Sequence, residues 1–201
     1  MLASKTVAPE RIREAIACGV RLFGENRVQE LLPKAQALAD EPLEWHMIGH
    51  LQTNKVKAVL DVATCIQSVD RSRLAAEIHK LCQTHERSID VLIEVNVSGE
   101  ESKYGCAPTD VDDLLDAVAA MPTLRVRGFM TIGANTTDER TVRHGFAMLR
   151  TIGEGARARG VVPADATELS MGMSGDMEWA IAEGSTMVRV GSAVFGQRVR
   201  G

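Results

Sequence analysis

Two groups of residues in this chain are of types that could do chemistry. The first is Lys5, in Ser4-Lys5-Thr6, at the end of the short run Leu2–Ser4. A lysine at the C-terminal end of a strand points into a site where partial desolvation and a neighbouring cation favour the neutral, nucleophilic amine. Such an amine can bind a carbonyl cofactor covalently. The second group is Gly191-Ser192, which follows the run Met187–Val190 and precedes Ala193-Val194-Phe195. Backbone N–H groups and a hydroxyl at such a turn can be presented to a phosphate dianion, and Ser170 would reach the same place from the neighbouring strand. Taken singly, each group also fits an ordinary turn, a capping serine or an exposed terminal lysine.

Other constellations point away from chemistry. His46 and His50 would suit a metal if they lay four apart on a helix, but Trp45–Ile48 reads as a strand and no third ligand is near. Gly172-Met173-Ser174-Gly175 lacks the second glycine of a nucleophile elbow, and no Asp and His follow in the required order. Glu100-Glu101 reads as a solvated turn. The four cysteines, Cys18, Cys65, Cys82 and Cys106, are widely spaced with no C-x-x-C, which argues against a disulfide framework or a zinc site and fits a reducing cytoplasm.

The elements that must position these residues follow from length and patterning. The 201 residues, 45% of them apolar, fit one domain with a substantial core. A net charge of −4, with both signs interspersed and 3% aromatics, leaves neither a basic face nor stacking platforms for nucleic acid. No apolar run approaches the roughly 20 residues of a membrane span, and Met1 leads into no signal-peptide pattern. Short apolar runs alternate with amphipathic ones. Strands are expected near Leu2–Ser4, Arg21–Gly24, Trp45–Ile48, Thr64–Val69, Ile89–Val95, Leu124–Met130, Glu168–Ser170 and Met187–Val190. Helices are expected over Pro9–Cys18, Val28–Ala39, Asn54–Leu60, Arg71–Thr84, Asp110–Ala120, Asp138–Arg159 and Asp176–Glu183. In the fifth helix Val111, Leu114, Leu115 and Val118 form an i, i+3, i+4, i+7 stripe that an outer ring of helices must bury. Eight β/α units in one α/β domain predict a closed (β/α)8 TIM barrel, with an open doubly wound sheet as the alternative. In such a barrel reactive residues emerge at the C-terminal strand ends, and phosphate sits in the loops after strands seven and eight.

Seven motifs, in order along nearly the whole chain, carry a family resemblance. They are Ala3-Ser4-Lys5-Thr6; Phe23-Gly24-Glu25-Asn26-Arg27-Val28-Gln29-Glu30; Trp45-His46-Met47-Ile48-Gly49-His50-Leu51-Gln52-Thr53-Asn54-Lys55; Gln67-Ser68-Val69-Asp70-Arg71; the stretch from Val95 to Gly105, with Arg127-Gly128-Phe129-Met130 beyond it; Leu169-Ser170-Met171-Gly172-Met173-Ser174; and Val188 to Gly196. The chain resembles the pyridoxal 5′-phosphate (PLP) homeostasis proteins, the YggS or PROSC family, whose barrel is related to the N-terminal domain of alanine racemase. The resemblance implies that Lys5 holds PLP as an internal aldimine, that Ser170, Gly191 and Ser192 hold its phosphate, and that Arg189 faces the pyridine nitrogen. Asn26 and His46 are carried over as neighbours of the ring. An arginine cannot accept a proton, so it leaves the ring nitrogen unprotonated and PLP a weak electron sink.

What the resemblance implies is therefore a non-catalytic cytoplasmic PLP carrier, monomeric, that buffers or delivers the cofactor and so affects vitamin B6 and amino-acid balance. PLP-dependent apo-enzymes would be its recipients. The alternative is an amino-acid racemase, which needs two bases on opposite faces of the substrate carbon. In alanine racemase the second is a tyrosine from a separate C-terminal β-domain that is not expected here, so Tyr104, the only tyrosine, would have to replace it. A barrel for some other phosphorylated metabolite, with Lys5 uninvolved, is the third possibility. The sequence departs from the family at its start, where only four residues precede the lysine. Strand one is then barely long enough to pair on both sides, so barrel closure and lysine positioning are expected to suffer. His50 and Gly175, where proline and Asn or Asp are common, are loop changes expected to be tolerated.

Overall fold

A computed structural model describes residues 1–196. Eight parallel strands follow one another around the sheet in chain order: β1 Leu2–Ala3, β2 Leu22–Glu25, β3 Glu44–Met47, β4 Cys65–Val69, β5 Ile89–Glu94, β6 Leu124–Met130, β7 Glu168–Met173 and β8 Met187–Arg189. The helices between them are α1 Pro9–Ala17, α2 Val28–Ala37, α3 Val56–Leu60, α4 Ser72–Thr84, α5 Val111–Ala119, α6 Glu139–Ala158 and α7 Met177–Ala182, and a last short turn of helix, α8, spans Ser192–Phe195.

The sheet closes. β1 pairs with β2 at Leu2↔Phe23 and Ala3↔Gly24, and Leu2 bridges Val190 on its other side. The Ala3 N–H donates to the Val190 carbonyl at 2.8 Å and the Val190 N–H to the Met1 carbonyl at 3.1 Å. Two strand residues thus suffice to pair both ways, against the expectation that so short a strand would compromise closure. With sequential order and a β1–β8 seam, the open doubly wound alternative is excluded.

The strands are buried on both faces, as a parallel sheet under helices requires. Along β5 the period of two sends Val91 and Ile93 to the main core, between barrel and helices, while Leu92 joins Cys65 and Met130 in a small separate cluster. The predicted α5 stripe, Val111, Leu114, Leu115 and Val118, is buried in the main core. Helix α6 is capped by Asp138, whose carboxylate accepts the Thr141 N–H at 3.1 Å. One boundary matters for the site. Strand β7 continues to Met173, three residues beyond its expected end, with a register irregularity between Ser170 and Met173.

Candidate cofactor site

A cavity of about 740 Å³ opens at the C-terminal ends of the strands. Its wall includes Lys5 after β1, Asn26 after β2, Ile132 after β6, Ser174 after β7, Arg189 at the end of β8, and Gly191 with Ser192 at the start of α8. Five of the seven residues singled out from sequence, Lys5, Asn26, Arg189, Gly191 and Ser192, are therefore brought to one cavity. Asn26 is placed by a close approach of loops: a Cβ at Gly49 would lie 2.1 Å from the Asn26 carbonyl oxygen, so only glycine fits there.

The other two are elsewhere. Ser170 is completely buried inside the barrel wall, where its hydroxyl donates to Gln67 Oε1 at 2.7 Å and accepts from Arg189 at 2.8 Å. The physical reason is the extra length of β7, which leaves Ser170 three residues short of the strand's end. His46 is also buried, and Gln67 Nε2 donates to its Nδ1 at 2.8 Å. Burial pushes its pKa down to about 4, so the ring is neutral at physiological pH. His46, Gln67, Ser170 and Arg189 thus form one hydrogen-bonded chain behind the cavity.

Arg189 is the charged end of that chain. Its guanidinium donates to the Ser170 carbonyl at 2.7 Å and to the Thr131 carbonyl at 2.6 Å. Burial pulls its pKa down to about 10, opposed by the acidic side chains of Glu94 and Asp176; that value is still well above neutrality, so it stays a cation there. Where the cavity meets the start of α8, the lining residue not singled out from sequence as a binding residue is Ser174. Its Oγ accepts the N–H of Gly191 at 3.4 Å and that of Ala193 at 3.3 Å. Two backbone donors therefore converge on one oxygen, the arrangement an anionic oxygen requires. The alternation Leu169, Met171, Met173 was the available signal that the strand ran on to this serine. Tyr104 does not line the cavity. It is 57% exposed and stacks on His50, with ring centroids 3.8 Å apart. Among the described residues no three His, Cys, Asp or Glu side chains gather as a metal site, and no helix is long and apolar enough to cross a membrane.

Fold and site together define a (β/α)8 barrel of the type found as the N-terminal domain of alanine racemase, and that domain family matches residues 3–199. A pyridoxal phosphate homeostasis protein of Aquifex aeolicus is 47% identical over 98% of this chain and 85% of its own length. PipY of Synechococcus elongatus, solved with PLP bound, superposes with a TM-score of 0.89 at 34% identity, over 98% of this chain and 92% of that one. The chain belongs to the family of pyridoxal phosphate homeostasis proteins. An alanine racemase of Clostridium difficile, 14% identical with a TM-score of 0.78, shares the fold over 99% of this chain and 51% of its own.

Proposed function

We propose that this chain binds PLP covalently through Lys5 and serves PLP and amino-acid homeostasis as a carrier rather than as a racemase. The observation that carries the reading is that Lys5, Gly191 and Ser192 line one cavity from just beyond the two strands that meet at the barrel seam, with Ser174 Oγ beside them accepting the Gly191 and Ala193 N–H groups. When bound, PLP supplies an aldehyde that a lysine amine can capture with loss of water, and a phosphate dianion. The residues present fit both ends of it. Lys5, half-buried on the wall, offers the amine, while Gly191, Ser192 and Ser174 offer backbone and hydroxyl donors. A Cβ at residue 191 would come within 3.0 Å of the Ala3 carbonyl, so the glycine keeps this cradle tight against β1.

Arg189 is assigned to the pyridine nitrogen. Because it retains its proton, it can only donate there, which leaves the nitrogen unprotonated and withholds the electron sink that a PLP enzyme needs. Ser170 and His46 act behind the wall in this reading: Ser170 holds Arg189 in place, and His46 holds Gln67, which holds Ser170. Ser174 takes the phosphate role first assigned to Ser170. Tyr104, the candidate second base of a racemase, is not among the residues that line the cavity with Lys5 and stacks on His50 instead. PLP-dependent apo-enzymes as recipients, a monomeric state and a cytoplasmic location complete the proposal.

The test is the visible spectrum of the purified chain with PLP, beside Lys5→Ala, followed by borohydride reduction and peptide mapping. The expected result is a near-visible band in the unmutated chain alone, with the pyridoxyl mass on the Lys5 peptide. A band that persists in Lys5→Ala, or none in either, would refute the assignment. Amino-acid racemisation abolished by Tyr104→Phe would establish the enzyme reading instead.

A further inference from the structure

We propose that Glu25, Glu30 and Lys34 are positioning residues for Lys5, an ionic clamp, buried on its Ser4 side and open to solvent on its Thr6 side, that fixes the backbone on both sides of it; the proposal rests on the reading of Lys5 as the PLP-binding amine. On the N-terminal side, Ser4 is completely buried. Its carbonyl accepts from Lys34 Nζ at 2.7 Å, and its hydroxyl donates to Glu25 Oε1 at 2.7 Å. Lys34 Nζ also reaches Glu25 Oε1 at 2.7 Å, closing a triangle. On the C-terminal side, the Thr6 N–H donates to Glu30 Oε2 at 2.6 Å, and that same oxygen accepts from Lys34 at 3.2 Å. One buried ammonium thus ties together the two carboxylates that grip the residues flanking Lys5.

Three features make this more than general stabilisation. Glu30 and Lys34 lie one helical turn apart on α2 and Glu25 ends β2, so the clamp joins the first two β/α units at the turn that bears the amine. Thr6 has φ of 64°, in the left-handed region that a β-branched residue rarely occupies. Such a conformation persists where its surroundings over-determine it, and the Glu30 bond to the Thr6 N–H does that. Finally, a lysine 7% exposed against a fully buried glutamate gives little net stability over apolar residues of the same volume, whereas it does fix geometry. If the Thr6 peptide turns, the Lys5 side chain swings with it, and a displacement near 1 Å at a reacting group can cost about 10²-fold in rate.

The experiment follows the rate at which the PLP band appears in the full chain, with folding checked by circular dichroism. Glu30→Ala is expected to slow it by about 10- to 100-fold, and Glu30→Gln, whose amide oxygen can still accept the Thr6 N–H, to restore most of the rate. Glu30→Asp, too short to reach, substitutes if the alanine variant does not fold. An unmutated rate in Glu30→Ala or Glu30→Asp, or a Glu30→Gln as slow as they are, overturns the clamp. A readout without PLP keeps the two ideas separable: reductive methylation by formaldehyde, mapped by peptide mass. The clamp requires the Lys5 rate to change in Glu30→Ala while those of the exposed Lys57 and Lys80 do not, and an unchanged Lys5 rate refutes it. Absence of the Lys5 band in the unmutated chain would count against the PLP reading alone.

Discussion

Glu94→Gln is expected to stabilise the chain at pH 8 and to do so much less at pH 5. Glu94 ends β5, is 3% exposed, and its Oε2 has no hydrogen-bond partner. Burial above all, and then the nearby Asp70, push its pKa up from 4.5 to about 8, against the pull of Arg189 and Arg71. The folded chain therefore keeps this proton to about pH 8, while the unfolded chain releases it near pH 4.5. Between those values the folded state binds more protons, so stability is fullest below the unfolded value and is lost as pH rises through the folded one. At about 1.4 kcal/mol per pH unit, the loss between pH 5 and 8 is on the order of 3–4 kcal/mol. For a chain of this length that is on the order of 10 °C in Tm. Glutamine does not titrate, so the difference between variant and unmutated chain isolates the term. Urea unfolding of both at pH 5, 6.5 and 8, without PLP, measures it. Stability profiles that run parallel, or an unmutated chain that gains on the variant as pH rises, would refute the assignment of a neutral buried carboxyl.

The two serines give opposite outcomes. Ser174→Ala is expected to weaken inhibition of PLP binding by inorganic phosphate with little change in Tm. Ser170→Ala strips Gln67 and Arg189 of a buried partner and is expected to cost about 1–3 kcal/mol in denaturant unfolding. His46 contributes in the acid limb. Its pKa is lowered from 6.5 to about 4, so its share of stability is present above about pH 6.5 and is lost as pH falls through 4. The fall in Tm from pH 7 to 4 is expected to be shallower in His46→Gln than in the unmutated chain.

Much of the architecture was legible because a barrel enforces a simple alternation. Every strand has its apolar run, and α5 shows how a helical stripe is read directly into the core. The cavity wall was legible where residue type and strand end coincide, as at Lys5, Asn26, Arg189 and Gly191. It was misread at Ser170 because strand ends are set by neighbouring strands: β7 is carried on to Met173 by pairing with β8, which reaches Arg189 only through an irregular register. Lys34 was invisible for a different reason. A lysine four residues after a glutamate on an amphipathic helix has the pattern of a solvated ion pair, and only the approach of β1 and β2 turns it inward. The closure of a two-residue β1 could not be read either, since it depends on backbone groups of Met1 and Val190 that carry no side-chain signature.

The seam has a kinetic consequence. Seven of the strand contacts join neighbours in the chain, each needing the closure of only one β/α unit. The eighth, Leu2 with Val190, joins the two ends of the described barrel, and its loop-closure entropy is the largest of the set. Assembly can therefore proceed as a growing arc, with the ring completed last, and opening begins where it was completed. Native-state hydrogen exchange would show this as early loss of protection at the Ala3 and Val190 amides relative to those in the centre of β5. Equal protection at both places would mean that the ring opens as a whole. Since Lys5 and Gly191 flank the seam on either side, a cofactor spanning them would act as a latch, and its departure would be coupled to the slowest-forming and first-broken contact of the fold.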